Sequence, residues 1–248
     1  MTKKASTLTL AKTYDKVAAD KPVLTVIFIH GIADDSSRWV RPIERLREEH
    51  KLDAVRFVTF DLLGSGKSLT DDENLNYDFK DQLEALDNSI EALDIDTPIV
   101  LVGHSMGCLI SARYASQHKN KIRELILISP PVYTKKDFES PKFEPSMDGF
   151  KALMVVKNPI YKDQKAFNNE LMQIVSNRTN YDILEKLVEP TTIIYGAADK
   201  IIAGYNIPGL LKANSNILAF KTPGAHGIGH EKCDKLVATL KRIVNETL

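Results

Sequence analysis

The pentapeptide Gly103-His104-Ser105-Met106-Gly107 sets a serine between two apolar runs. Before it lies Pro98-Ile-Val-Leu-Val102, which reads as a buried strand; after it comes Cys108-Leu-Ile-Ser-Ala-Arg-Tyr-Ala115, which reads as a buried helix. A serine on a sharp strand-to-helix turn takes strained backbone angles and holds its hydroxyl out above the sheet, where it can attack an acyl carbon. Gly103 and Gly107 remove side chains that would collide as strand and helix approach. A hydroxyl is a poor nucleophile until a base takes its proton, and the base needs a third group to fix its tautomer. Candidates for both lie downstream. Thr191-Thr-Ile-Ile-Tyr195 reads as a strand running into Gly196-Ala-Ala-Asp199, and Asn216-Ile-Leu-Ala-Phe220 as one running into Thr222-Pro-Gly-Ala-His226. The carboxylate and the imidazole thus fall just past the C-terminal ends of strands, the edge of an open α/β sheet at which ligand sites form. A second histidine, His230, follows in the same glycine-rich loop.

Phe28-Ile-His30-Gly31-Ile32, Phe60-Asp61-Leu-Leu-Gly64-Ser-Gly66-Lys-Ser68, the serine elbow and the turn at Asp199 together make the chain, from about Val23 onward, resemble the α/β-hydrolase-fold enzymes. Phe28-Ile-His30-Gly31-Ile32 is similar to that family's His-Gly turn after its third strand. Phe60-Asp61-Leu-Leu-Gly64-Ser-Gly66-Lys-Ser68 is similar to its Asp-x-x-Gly-x-Gly-x-Ser loop after the fourth. The serine elbow and the Gly-x-x-Asp turn at Asp199 are the others, and the order Ser105, Asp199, His226 is the family's triad order. The resemblance implies an oxyanion hole from the backbone N–H groups of Met106 and Ile32, since acyl transfer needs preorganised donors in a dry site. It gives His30 a structural role, because the family uses this loop's backbone rather than its imidazole. Trp39 either lines the acyl pocket or belongs to the core. For the base, the family's pattern of a histidine soon followed by an acidic residue fits His226 with Glu231, while the glycines leave His230 as the alternative.

A serine at the elbow sets aside the dehalogenase and epoxide hydrolase branches of the fold, which use Asp there. Carboxylic ester hydrolysis with a short- to medium-chain acyl group is the expected activity. Thioester hydrolysis, acyl transfer, C–C bond hydrolysis and cofactor-free perhydrolysis use the same groups. A catalytically silent ligand-binding protein on the same scaffold is the reading from another class. Against it, each triad position holds a competent residue. The expected mechanism needs no cofactor, and the sequence carries no metal-ligand cluster.

These residues need a frame, and the alternation of the chain supplies one. Thr7–Tyr14 reads as an edge strand, Val23–Ile29 as a central one, Arg41–His50 as an amphipathic helix and Asp53–Phe60 as a strand. Phe79–Leu93 reads as a helix, Ile122–Ile128 as a strand and Glu231–Val244 as a final helix. Strands and helices alternating at these lengths predict an α/β fold, a mostly parallel central sheet with helices on both faces, in a single domain over residues 1–248. The alternation stops between Pro131 and Leu187. There the resemblance implies a small helical cap after the family's sixth strand, over 132–187. Its apolar set comprises Phe143, Met147, Phe150, Leu153, Met154, Ile160, Tyr161, Phe167, Leu171 and Met172. Methionines and aromatics above a site can form an adaptable acyl surface.

Composition narrows the partners. The chain has 33 Lys plus Arg against 33 Asp plus Glu, so no net field favours nucleic acid or an anionic membrane. No run approaches the ~18 apolar residues of a membrane span, and no apolar stretch follows the N-terminal lysines as in a signal peptide. The 2 cysteines, Cys108 and Cys233, do not suggest a disulfide framework. The expected setting is the cytoplasm, as a monomer or homodimer acting on a small-molecule ester. Gly64-Ser-Gly66-Lys67-Ser68 looks like the end of a phosphate-binding loop, but Asp61 stands where the first glycine belongs. The acidic stretch after Leu69 replaces the helix whose N-terminus would hold phosphate.

Overall fold

The central strands of this chain are largely apolar runs, and such runs are stable only when both faces of the sheet are covered. The computed structural model describes residues 7–69, 75–139, 180–228 and 234–248, with single helical positions at 166, 169, 170 and 174. Its strands are β1 (Ala11–Lys16), β2 (Leu24–Ile29), β3 (Val55–Asp61), β4 (Ile99–His104), β5 (Ile122–Ile128), β6 (Thr191–Gly196) and β7 (Ile217–Thr222). They form one 7-stranded sheet in the order β1-β3-β2-β4-β5-β6-β7. Every pairing is parallel except that of β1 with β3. The edge strand starts at Ala11 rather than Thr7 and carries a register shift between Lys12 and Tyr14.

Alternate residues of each strand feed opposite layers, as the period of 2 requires. Val26, Phe28, Val100, Val102, Ile126 and Ile128 face one layer with α1 (Val40–Glu48) and the C-terminal helix Asp234–Asn245. Ile27, Ile29, Leu101, Leu125 and Leu127 face the other, with α2 (Phe79–Glu91) and α3 (Met106–Gln117). Trp39 belongs to the first layer: it is fully buried, with its ring centroid 5.0 Å from that of Phe28. Helix α3 is buried from Met106 through Ala115, which accounts for its lack of a polar stripe. Among the described residues three shorter helices follow, α4 (Lys135–Phe138), α5 (Asn180–Glu185) and α6 (Ile207–Ala213), and the C-terminal helix is α7.

From β2 the chain moves outward to β3, then returns to place β4 on the other side of β2. This reversal is a topological switch point at the C-terminal ends of β2 and β4, the place where doubly wound sheets bind ligands. The His-Gly turn follows the second strand here rather than a third, so the interrupted segment lies between β5 and β6. Most of that segment, including the ten apolar residues named above, lies outside the described residues. Among the described residues no helix is long and apolar enough to cross a membrane.

Candidate active site

The strand register sets the site. Ile29 pairs with Gly103 across β2 and β4, so the residues after each strand emerge side by side. Ser105 has φ 52° and ψ −118° at the junction of β4 and α3, is 3% exposed, and donates its N–H to Ile128 O at 2.9 Å. Holding a non-glycine residue there costs about 1–3 kcal/mol, supplied by the strand and helix it joins. The flanking glycines answer to contact. A Cβ on Gly107 would lie 2.4 Å from Ile29 O, and one on Gly103 would lie 2.6 Å from Gly107 O. Gly31 touches the elbow itself, since its Cβ would lie 3.0 Å from that of Ser105.

Asp199 and His226 reach this serine from the ends of β6 and β7. His226 Nε2 lies 2.9 Å from Ser105 Oγ, and His226 Nδ1 lies 3.0 Å from Asp199 Oδ2. The Asp199 side chain is fully buried, and its Oδ1 accepts from Ile201 N–H at 2.9 Å. Burial works against its charge, yet the hydrogen bond and the charge of His226, with the Ile201 N–H, hold the carboxyl below its ordinary value. The two loops also hold each other. Ala197 N–H donates to Thr222 O at 2.7 Å and Ala198 N–H to Gly224 O at 2.9 Å. His230 lies outside the described residues.

Of the implied oxyanion donors, Met106 directly follows the serine and Ile32 follows Gly31, which packs against it. Met106 is the first residue of α3, where N–H groups lack an intrahelical acceptor. Ile32 is half-buried in the turn pressed against the elbow. His30 is spent on structure: Nδ1–H donates to Gly31 O at 2.8 Å and Nε2 accepts from Leu62 N–H at 2.9 Å. Burial is the main reason its imidazole titrates below the ordinary value. Downstream, the buried Arg38 guanidinium pairs with Asp34 at 2.5 Å and braces the same turn. Cys108 is buried behind the elbow, and burial raises its thiol well above the ordinary value.

The phosphate-loop lookalike is built as a carboxylate knot. Asp61 Oδ1 accepts from Ser36 N–H and Oδ2 from Lys67 N–H, each at 2.8 Å. A Cβ on Gly66 would fall 2.3 Å from Asp61 Oδ2. The N–H group that would serve a phosphate is occupied by a side chain of the same chain. Among the described residues, no group of three or more His, Cys, Asp and Glu side chains gathers to hold a metal ion.

One network escaped the sequence. Asp137 accepts from Tyr205 Oη at 2.6 Å, Asn206 Nδ2 at 2.7 Å, Thr134 N–H at 2.6 Å and Thr134 Oγ1 at 2.7 Å. It ties the start of the interrupted segment to the loop that follows Asp199, which Val132 N–H also grips through Ile202 O at 2.9 Å. No spacing announces partners this far apart in sequence. Burial opposes the charge of Asp137, but these donors keep its carboxyl below the ordinary value. Asp137→Ala is expected to cost about 3 kcal/mol in urea unfolding at pH 7, the scale of hydrogen bonds to a charged group, and Asp137→Asn about half that. Because the folded-state value is depressed, this increment is present above the unfolded value and is lost as pH falls through the folded one. The wild-type advantage over the Asn variant should therefore shrink on acidification.

Comparison with known proteins agrees with this architecture. Residues 25–158 match the alpha/beta hydrolase fold family. The chain is 34% identical over 117 residues to the Arabidopsis thaliana protein named Probable lysophospholipase BODYGUARD 4, a match covering 47% of this chain and 27% of that protein. The matched stretch is thus a minor part of that relative. The monoacylglycerol lipase of Paleococcus ferrophilus superposes with a TM-score of 0.69 at 17% identity, covering 97% of this chain and 100% of that one. A thermophilic esterase from Thermogutta terrifontis gives 0.71 at 18% identity, covering 96% and 93%. At these identities the two structures speak to the fold alone. With the family match spanning more than half of the sequence, the chain belongs to the alpha/beta hydrolase fold family.

Proposed function

We propose that this protein hydrolyses carboxylic esters of short- to medium-chain acids through an acyl-enzyme on Ser105. The observation that carries the reading is the pair of contacts made by His226, 2.9 Å to Ser105 Oγ and 3.0 Å to Asp199 Oδ2. Ser105 Oγ attacks the acyl carbon while His226 Nε2 takes its proton. Asp199 holds the Nδ1–H tautomer and stabilises the imidazolium. The N–H groups of Met106 and Ile32 receive the oxyanion. Collapse of the tetrahedral intermediate breaks the C–O bond, and His226 returns its proton to the leaving alkoxide. Water then attacks the acyl-enzyme by the same route, releasing the acid and the serine. The lysophospholipase name of the plant relative supports this class.

The test is hydrolysis of p-nitrophenyl esters from acetate to palmitate by wild type and Ser105→Ala. Turnover that peaks at short or medium chains and disappears in the variant is the expected result. No turnover of any ester by folded protein, or equal turnover by the variant, overturns the reading.

A further inference from the structure

Among the described residues, few bonds hold the loop that must aim the proposed base. Between β7 and α7, residues 223–225 and Gly227 are exposed, His226 and Ile228 are half-buried, and Gly224 sits at φ +123°. The backbone bonds from Ala197 and Ala198 reach only as far as Gly224. At His226 itself a different group takes over. His104, the last residue of β4 and 5% exposed, places Nε2 at 3.0 Å from His226 O. A carbonyl oxygen only accepts, so His104 must be the donor, through Nε2–H. The two rings lie 5.0 Å apart between centroids, tilted by 51°. On its other side the His104 ring lies so near Gly31 that a Cβ there would stand 3.1 Å from Nδ1.

From this we infer that His104 is a positioning residue for the base. Its imidazole is the strut that fixes the backbone of His226 relative to the neighbouring Ser105, with the oxyanion turn at its back. The inference rests on the reading of His226 as the base. The adjacency of His104 and Ser105 gives it force: the nucleophile and the donor that holds the base loop share one rigid strand end. The Ser105–His226 distance is thereby set by β4 rather than by a glycine-containing loop.

The test compares His104→Phe, which keeps the ring and loses the donor, with His104→Gln, whose side-chain amide restores a donor at similar reach. His104→Phe is expected to lower kcat ~10- to 100-fold with KM changed less than about threefold, the scale of a misplacement of roughly 1 Å. His104→Gln should recover most of that loss. In ¹⁵N-histidine spectra, wild-type His226 should be the single Nδ1–H tautomer, and the Phe variant a mixture. Wild-type kcat and tautomer in the Phe variant, or a Gln variant as impaired as Phe, overturns the inference. If the Phe variant does not fold, His104→Leu takes its place in the same comparison. If wild type hydrolyses no ester, the proposed function fails by itself, and the tautomer spectra still decide the role of His104.

Discussion

His226→Ala is expected to lower kcat for ester hydrolysis by about 10⁶-fold, the loss seen when a serine triad is deprived of its base. In the proposed mechanism the imidazole takes the proton of the Ser105 hydroxyl, and its Nε2 stands 2.9 Å from Oγ. Without it the proton has no acceptor of suitable strength, and the residual rate reflects oxyanion stabilisation and substrate binding alone. The fold should not suffer, because His226 is half-buried in a surface loop and contributes nothing to either apolar layer. With His226 as the proposed base, His230→Ala should stay within about tenfold of wild type. Steady-state kinetics on one p-nitrophenyl ester, with circular dichroism to verify folding, reads both. The reverse pattern would make His230 the base.

Asp199→Asn should lower kcat by about 10⁴-fold while leaving the melting temperature nearly unchanged. The argument is one of tautomers. Asp199 Oδ1 accepts from the Ile201 N–H, a donor whose direction is fixed by the backbone. An asparagine must therefore keep its oxygen at that position, which turns its NH₂ toward His226 Nδ1. The imidazole then carries its proton on Nε2 and presents a donor to Ser105, the wrong polarity for a base. The amide is isosteric, so packing is preserved. Near-normal activity in this variant would show that another acid orients the base. In wild type, Asp199 titrates below its ordinary value and stays ionised at mildly acid pH, so loss of activity there must report a different group.

Much of this arrangement is legible in residue order, because it depends on local chemistry. Continuous apolar runs such as Leu24–Ile29 and Ile99–Val102 can be satisfied only inside a doubly covered parallel sheet, and the structure places them there. Gly103, Ser105 and Gly107 are spaced for a tight turn between such a strand and a helix, and the backbone at Ser105 is left-handed as that turn demands. Boundaries moved by a few residues where the decisive partner is distant: β1 begins at Ala11, where pairing with Asp61 starts, and α1 follows a 3₁₀ turn over Ser36–Trp39.

What sequence spacing does not express is which groups meet after the chain has closed on itself. Trp39 could be read toward the substrate or the core, and only the choice of sheet face, opposite Phe28, put it in the core. The Asp137 knot, the His104 bond to His226 O and the saturation of the phosphate-loop lookalike by Asp61 are hydrogen bonds whose geometry depends on loop path. Spacing leaves His226 and His230 equivalent in a glycine-rich loop, and it does not express that the His226 ring lies against both Ser105 and Asp199, groups carried by other strands. The sequence determined the elements and the kinds of group at their ends, because hydrophobic periodicity and turn chemistry are local. The tertiary structure decided which of those groups touch, because strand order and register are set by packing over the whole sheet.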